Sequence, residues 1–263
     1  MKKSILLASA ALAALSFTSC NNEVDMFEPI GSEKATINLN VSKDEVMLTR
    51  ADGDPVIENA DLSAWEAKVG SNSWVKANTL VNKTYDPDTY TIQVGNYQSE
   101  ALAMAAKSGA GDAYYTLTQN VTLVKGVNNL TFACGKAKNA KVTVDWSGTS
   151  GVAGLTMTSV KADQAENTTA ETPARSYTYT AGGDAYFYAG TDVVCTINYT
   201  YNGTPKSISK TISNPSAATK YAFTVSANSN GTITTLTITY DSAMYTGEST
   251  STVIDAATGN KVE

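Results

Sequence analysis

The sequence contains no histidine, which narrows the chemistry that its side chains can perform. Histidine is the usual general base near neutral pH and the commonest metal ligand, so most serine, cysteine and zinc mechanisms lack a central member here. Two carboxylates could still act as acid and base, as in glycoside hydrolysis. Asp112 and Asp184 share an Asp-Ala-Tyr context and are the candidates for such a pair. We expect a division between two domains to separate them, and we predict that the protein is not an enzyme.

Two short acidic segments could in principle bind calcium through clustered oxygens. They are Asp52-Gly53-Asp54 and Asp86-Pro87-Asp88. Neither has the full spacing of a calcium-binding loop, and Asp beside Gly or Pro is ordinary turn chemistry. The sequence therefore predicts no metal site and no cofactor.

The three tryptophans could act as stacking platforms for sugar rings, and the alternative for each is core packing. Trp146 continues the alternation of Val142 and Val144, so we expect it in a core. Trp65 and Trp74 show no such pattern, which leaves them as candidate glycan-stacking residues.

Two cysteines, Cys134 and Cys195, lie well inside the chain. In an oxidising compartment such a pair can form a disulfide. Both lie on apolar strand faces in what we interpret as different domains. We therefore predict two buried free thiols, since cysteine packs as a small hydrophobic residue.

Apolar and polar residues alternate in many segments after residue 35, which is the pattern of strands with one buried face. The segments are 35–41, 90–94, 130–134, 142–146, 193–201, 221–225 and 236–240. The only expected helix is short, over Glu100–Lys107, where alanines precede a Ser-Gly break. Ala162–Arg175 is predicted to be an exposed loop.

Three turn signals predict hairpins between neighbouring strands. Asn202-Gly203 and Asn230-Gly231 favour type I′ turns, in which both central residues need positive φ. Lys125-Gly126 separates 121–124 from 130–134 and predicts a third hairpin.

Many short strands with frequent turns predict an all-β fold of β-sandwich domains, and the length of the chain is enough for two of them in tandem. A weak repeat, Ala-Gly-Asp-Ala-Tyr-Tyr at 110–115 and Gly-Gly-Asp-Ala-Tyr-Phe at 182–187, is consistent with two related domains. We place the N-terminal domain at 35–138 and the C-terminal domain at 139–263.

The N-terminus has the pattern of a bacterial lipoprotein signal. A positive Met1-Lys2-Lys3 is followed by an apolar segment that is too short for a membrane span, and Phe17-Thr18-Ser19-Cys20 ends it. We predict a signal peptide over 1–19, lipidation of Cys20 and a linker over 20–34. Attached acyl chains would anchor the protein in the outer membrane. Residues 21–25, Asn-Asn-Glu-Val-Asp, are similar to the acidic stretch that directs Bacteroidetes lipoproteins to the cell surface, so we expect surface exposure.

Charge argues against nucleic acid as a partner. The net charge is −6, and removal of Lys2 and Lys3 with the leader leaves 17 basic against 25 acidic residues, or −8. A chain without a basic cluster gains nothing from the release of phosphate counterions.

Several motifs together resemble a known family. They are Cys20 in its lipobox, Thr49-Arg50-Ala51, Tyr114-Tyr115, the segments 121–126 and 130–134, and the tract Asn-Ala-Lys-Val-Thr-Val at 139–144. This layout is similar to that of the fimbrillin-like surface lipoproteins of Bacteroidetes, relatives of the type V pilins, including a branch common in gut species. The likeness is closest over residues 113–146.

The resemblance implies two tandem β-sandwich domains of the transthyretin-like or immunoglobulin-like kind. It also implies a pilus subunit or anchor assembled by strand donation. In several type V pilins, an arginine-specific protease cuts within the N-terminal segment and removes the first strand, and a neighbouring subunit then donates a strand to the groove. Here the cut would fall between Arg50 and Ala51, and the strand around 35–41 would be lost. Alternatively, Arg50 is an ordinary linker residue. Residues after about 241 would be either a donor strand or an edge strand with a frayed terminus.

Two functions therefore remain open. The first is a structural or adhesive role, with other pilin-like subunits as partners. The alternative is a glycan-binding surface lipoprotein of a polysaccharide-utilisation system, with host or dietary glycans as partners.

Overall fold

The computed structural model describes residues 33–45, 56–230, 234–243 and 249–262. Within these ranges it contains seventeen strands, one α-helix and three short 3₁₀ helices. The predicted all-β class is confirmed. No helix in the described part of the chain is long and apolar enough to span a membrane.

Eight strands and the α-helix precede residue 138. They are β1 (Ala35–Glu45), β2 (Val56–Asn59), β3 (Glu66–Val69), β4 (Val75–Lys76), β5 (Thr84–Tyr85), β6 (Thr89–Gly95), α1 (Glu100–Ala105), β7 (Thr116–Thr122) and β8 (Gly126–Ala133). Two of the 3₁₀ helices, Ala77–Leu80 and Lys107–Gly109, also lie here.

Nine strands follow residue 138. They are β9 (Ala140–Asp145), β10 (Leu155–Gln164), β11 (Arg175–Tyr179), β12 (Gly183–Phe187), β13 (Val193–Tyr201), β14 (Thr204–Ile212), β15 (Lys220–Ser229), β16 (Thr234–Ala243) and β17 (Ser249–Asp255). The third 3₁₀ helix is Ser147–Thr149.

The N-terminal half, residues 35–138, has two sheets around one core. One sheet has the order β2-β1-β5 with β8 paired to β1, and the other has the order β4-β3-β6-β7. Ile37 and Phe132 from the first sheet share a buried cluster with Ala67 and Ile92 from the second. Period-two alternation therefore places one face of each sheet in a common core, as in a sandwich.

The C-terminal half, residues 139–262, repeats this arrangement with one four-stranded and one five-stranded sheet. Their orders are β11-β10-β13-β14 and β12-β9-β15-β16-β17. Val160 and Ile197 from one sheet pack in the same cluster as Val144 and Phe223 from the other. The described residues form one compact unit with two separate cores, and the exact domain boundaries stay a prediction.

Arg175, the first residue of β11, ties the two halves together. Its Nε donates to the Tyr186 carbonyl at 2.6 Å, and its Nη atoms donate to the carbonyls of Met104, Gly109 and Ala110 at 2.7–2.9 Å. Gly111 permits this close approach: its φ is +81°, and an added Cβ would lie 3.1 Å from the Arg175 Nη2.

The predicted hairpin at Asn202-Gly203 is confirmed. It joins β13 to β14, and the φ values of 48° and 78° are those that a type I′ turn needs. β15 and β16 also pair antiparallel, but Gly231 lies outside the described residues.

The hairpin predicted at Lys125-Gly126 is wrong. β7 pairs with β6, whereas β8 runs parallel to β1 in the other sheet. The connection from β7 to β8 passes between the sheets because Leu123 is buried in the core. The Asn128 side chain fixes this connection: it accepts a hydrogen bond from the Val124 amide and donates one to the Val124 carbonyl.

The other local predictions are mostly confirmed. The short helix exists as α1, with Ser99 as N-cap. The predicted loop over Ala162–Arg175 is shorter than expected, because β10 continues to Gln164 and β11 begins at Arg175.

The C-terminal segment is an edge strand, one of the two alternatives. β17 pairs with β16, and Ala256 is fully buried. Residues 256–262 fold back on β17, and the Val262 amide donates to the Val253 carbonyl at 2.9 Å.

Candidate functional site

β1 occupies the centre of its sheet. It runs parallel to β8 over eight residue pairs, from Ala35 opposite Gly126 to Ser42 opposite Ala133. Its other edge pairs antiparallel with β5 at the start and with β2 at the end. β1 therefore satisfies main-chain donors and acceptors on both sides, and its removal would open a slot between β8 and the two short strands.

The inward face of β1 is one of the most deeply buried surfaces of the N-terminal half. Ala35, Ile37 and Val41 have no exposed surface, and Leu39 is 6% exposed. Burial of the three larger side chains contributes roughly 5–9 kcal/mol to stability. The slot left without β1 would therefore be an apolar trough with unpaired edges.

Polar contacts along β1 and at its two ends also hold its register. The Asn38 amide donates to Asn129 Oδ1 at 2.8 Å. Lys43 Nζ lies 3.1 Å from Glu58 Oε2, and Lys34 pairs with Asp86. These contacts are solvent-exposed and are worth little individually, so the apolar face provides most of the binding energy of the strand.

The residues predicted for lipidation and cleavage lie outside the described part of the chain. They are Cys20, Arg50 and Ala51, together with the signal peptide over 1–19 and most of the linker over 20–34. Arg50 belongs to the segment 46–55, which connects β1 to β2.

The two tryptophans proposed for glycan stacking have different environments. Trp65 is 5% exposed in the core, and its ring centroid lies 6.4 Å from that of Tyr115. A buried ring offers no face to a sugar, so the stacking role predicted for Trp65 is corrected to core packing. Trp74 is half-buried just before β4, and its stacking role stays a prediction. Trp146 packs against the C-terminal core, as expected.

Both internal cysteines are buried, as predicted, and each belongs to a different core. Burial raises the pKa of Cys134 to about 11 and that of Cys195 to about 12. Both thiols therefore remain protonated and poorly nucleophilic at neutral pH.

Asp112 and Asp184 are not separated as the sequence suggested. Both line one cleft at the junction of the two halves, because the 110–115 segment lies against β12 and the Tyr186 amide donates to the Ala110 carbonyl at 2.8 Å. Sequence analysis also missed Lys141 and Tyr186, which line the same cleft. The alternation of apolar and polar residues predicts that Lys141 and Tyr186 face outward. It does not predict that β9 and β12 pair and so place the two side chains in one cleft.

The acidic turn segments behave as turns where they are described. Asp86 pairs with Lys34, and Asp88 accepts from the Thr89 amide at 2.7 Å. Asp52-Gly53-Asp54 lies outside the described residues. Within the described ranges, no group of three or more Cys, Asp or Glu residues could hold a metal ion.

Comparisons with known proteins give structural neighbours only. No family model matches the chain, and no curated protein is a significant relative. A candidate cell adhesion protein from Bacteroides fragilis is 13% identical, with a TM-score of 0.47 over 81% of this chain and 99% of that chain. A fimbrial assembly protein from Parabacteroides distasonis is 11% identical, with a TM-score of 0.44 over 81% and 97%.

A third neighbour is a candidate cell adhesion protein from Bacteroides ovatus, 12% identical, with a TM-score of 0.38 over 73% of this chain and 92% of that chain. These names describe those proteins. At such identities and TM-scores, the likeness carries no argument about the role of this chain.

Proposed function

We propose that this protein is a surface-anchored structural or adhesive subunit in which β1 is a replaceable strand. Before cleavage, lipid on Cys20 would hold the protein at the outer membrane. Cleavage between Arg50 and Ala51 would release β1 together with the lipidated segment, and a strand from a neighbouring subunit would then fill the slot by β-augmentation and link the cleaved subunit to the assembly. The protein would thus act by contact with other subunits and surfaces.

The observation that carries this proposal is the position of β1. β1 is central in its sheet and is the first of the described strands. A single cut in residues 46–55 would leave it attached only by non-covalent contacts. The roughly 5–9 kcal/mol of apolar burial would then be available to any strand with the same alternation.

The distribution of arginines supports selective cleavage. The sequence has two, Arg50 and Arg175. Arg175 lies in β11 with its guanidinium bound to four main-chain carbonyls. A protease must bind the arginine side chain in its own pocket, so native Arg175 is protected and Arg50 is the expected site.

The proposal can be tested with the full-length lipidated protein in detergent and an arginine-specific protease. We expect cleavage at Arg50, loss of the β1 fragment, and oligomers that withstand SDS without heating. The matched control is Arg50→Lys, which keeps the charge but removes the cleavage site and should stay monomeric.

A competing peptide tests the slot itself. A synthetic peptide with the sequence of Ala35–Glu45 should occupy the slot and keep the cleaved protein monomeric. The same peptide carrying I37N and L39N should not, because it lacks the apolar face. If the cleaved wild type loses β1 and still remains monomeric without peptide, strand donation is wrong.

A further inference from the structure

We propose that the cleft between the two halves is a binding site for a short neutral saccharide. We call it the junction cleft; its volume is about 480 Å³, and its polar lining includes Lys43, Lys107, Asp112, Lys141, Asp184 and Tyr186. Small-molecule sites commonly have volumes of about 300–1,000 Å³. This inference does not depend on strand donation.

The floor of the junction cleft is the outer face of the β9–β12 pair. Lys141 lies opposite Tyr186, and Thr143 lies opposite Asp184. Residues two apart on a strand share a face, so all four side chains point away from the core, whereas the alternate residues Val142, Val144 and Ala185 point into it. The floor is therefore built on regular strands, which hold polar groups more firmly than loops do.

The charges of the cleft are matched in pairs. Lys107 Nζ lies 2.8 Å from Asp112 Oδ1, and Lys141 Nζ lies 2.6 Å from Asp184 Oδ2. Lys43 pairs with Glu58 at 3.1 Å. A charged ligand would have to compete with one member of each pair. A neutral ligand with hydroxyl groups can donate to the carboxylates and accept from the ammonium groups without separating them.

Both carboxylates are oriented by other hydrogen bonds and keep acceptor capacity. Asp112 accepts from the Ala113 amide at 2.9 Å and from the Tyr97 hydroxyl at 3.1 Å. Asp184 Oδ1 accepts from the Thr143 hydroxyl at 2.8 Å. Burial alone would raise the pKa of Asp184, but hydrogen bonds from Lys141 and Thr143 outweigh it and lower the pKa, so the acceptor stays ionised at neutral pH.

The ring of Tyr186 adds the apolar surface that a sugar needs. Tyr186 is half-buried, and Lys141 Nζ lies 6.0 Å from its ring centroid. Tyr115 also lines the cleft, but it is 8% exposed and packs in the N-terminal core, so Tyr186 is the ring that a sugar would contact. The C–H faces of pyranose rings pack on aromatic rings, whereas their hydroxyls point to the rim. An aromatic ring beside ammonium–carboxylate pairs therefore offers an apolar surface for the C–H face of a sugar and polar groups for its hydroxyls.

The experiment uses the full-length protein and a fixed panel of sugars. The neutral probes are galactose, N-acetylglucosamine, maltose, cellobiose and lactose, and the charged comparators are galacturonate and glucose 6-phosphate. Saturation-transfer NMR identifies binders, and titration calorimetry measures their affinities.

Asp184→Asn and Tyr186→Ala test the cleft. Asp163→Asn is the matched control, because Asp163 also pairs with a lysine (Lys161, 2.9 Å) but does not line the cleft. The side chain of Asp163 is 41% exposed and that of Asp184 is 45% exposed.

We expect at least one neutral sugar to bind, with affinity reduced about tenfold or more by Asp184→Asn, since a hydrogen bond to a charged group is worth about 1.5–3 kcal/mol. Tyr186→Ala should weaken binding similarly, and Asp163→Asn should not change it. Circular dichroism of each variant verifies folding. The proposal is overturned if no neutral sugar binds, if only the charged sugars bind, or if Asp184→Asn and Asp163→Asn behave alike.

Discussion

Glu100 provides the sharpest test of the electrostatics at the junction of the two halves. It is the first residue of α1, and its Oε1 is buried without a hydrogen-bond partner among the described residues. Burial raises its pKa from 4.5 to about 7. The ionisable groups that it faces are the hydroxyls of Tyr114 and Tyr188, whose pKa values are raised by their own burial first and then by the Glu100 charge.

The sign of the effect on stability follows from proton binding. Between pH 4.5 and about 7, the folded protein keeps the Glu100 proton while the unfolded chain has lost it. The folded state therefore binds more protons, and the free energy of unfolding falls as pH rises through this window. Below it the contribution is fully present, and above it the contribution is lost.

The displacement of the pKa corresponds to at most about 3.4 kcal/mol. The side chain is only partly buried, so solvent screening reduces this value, and we expect a loss of about 1–2 kcal/mol from pH 5 to pH 8. The chain has no histidine. Among the described residues, the pKa values of Asp163 and Asp184 are lowered and those of the two buried cysteines are raised, so none of these four groups titrates in the window.

The perturbation is Glu100→Gln, which keeps the size of the side chain and removes its titration. Urea unfolding at pH 5, 6, 7 and 8, followed by circular dichroism, should show the pH dependence in the wild type and a flatter profile in the variant. Glu166→Gln, at an exposed loop position, should leave the profile unchanged. If Glu100→Gln and the wild type lose stability equally between pH 5 and pH 8, the argument from burial is refuted.

Three further predictions concern single side chains. Arg175→Lys should lower the free energy of unfolding by about 2–4 kcal/mol, because one ammonium cannot reach the four carbonyls that the guanidinium binds; an unchanged urea midpoint would contradict this. Cys134 and Cys195 should be inert to a thiol reagent in the folded protein and react after unfolding; prompt labelling in the native state would contradict their burial. Trp65→Ala should cost about 3–5 kcal/mol as a core truncation, whereas Trp74→Ala should cost under about 1 kcal/mol, and equal losses in thermal melts would show that their environments are not distinct.

Local chemistry explains which elements could be predicted. The hairpin at Asn202-Gly203 depends on two adjacent residues that tolerate positive φ. The short turn itself therefore contains all the information needed to predict it. The short helix at Glu100–Ala105 is likewise set by its Ser99 cap and its alanines. The alternation in β1 predicts which face is buried, because a side-chain period of two is a property of any strand.

Long-range pairing explains what could not be predicted. The Lys125-Gly126 turn has local hairpin chemistry, yet β8 pairs with β1, about ninety residues away in sequence. Asp112 and Asp184 were expected to be apart, but Arg175 and β12 bring their segments to one cleft. Neither contact leaves a signal in the neighbouring residues.

By itself, the sequence determined the all-β class, the buried faces of the strands and the burial of both internal cysteines, because these depend on periodicity and hydrophobicity along the chain. Only the tertiary structure decided that β1 is central in its sheet, that Trp65 is a core residue, and that Lys141, Asp184 and Tyr186 share a cleft with Asp112. The physical reason is that strand pairing and sheet packing depend on the energy of the whole assembled core, which no local stretch of sequence contains.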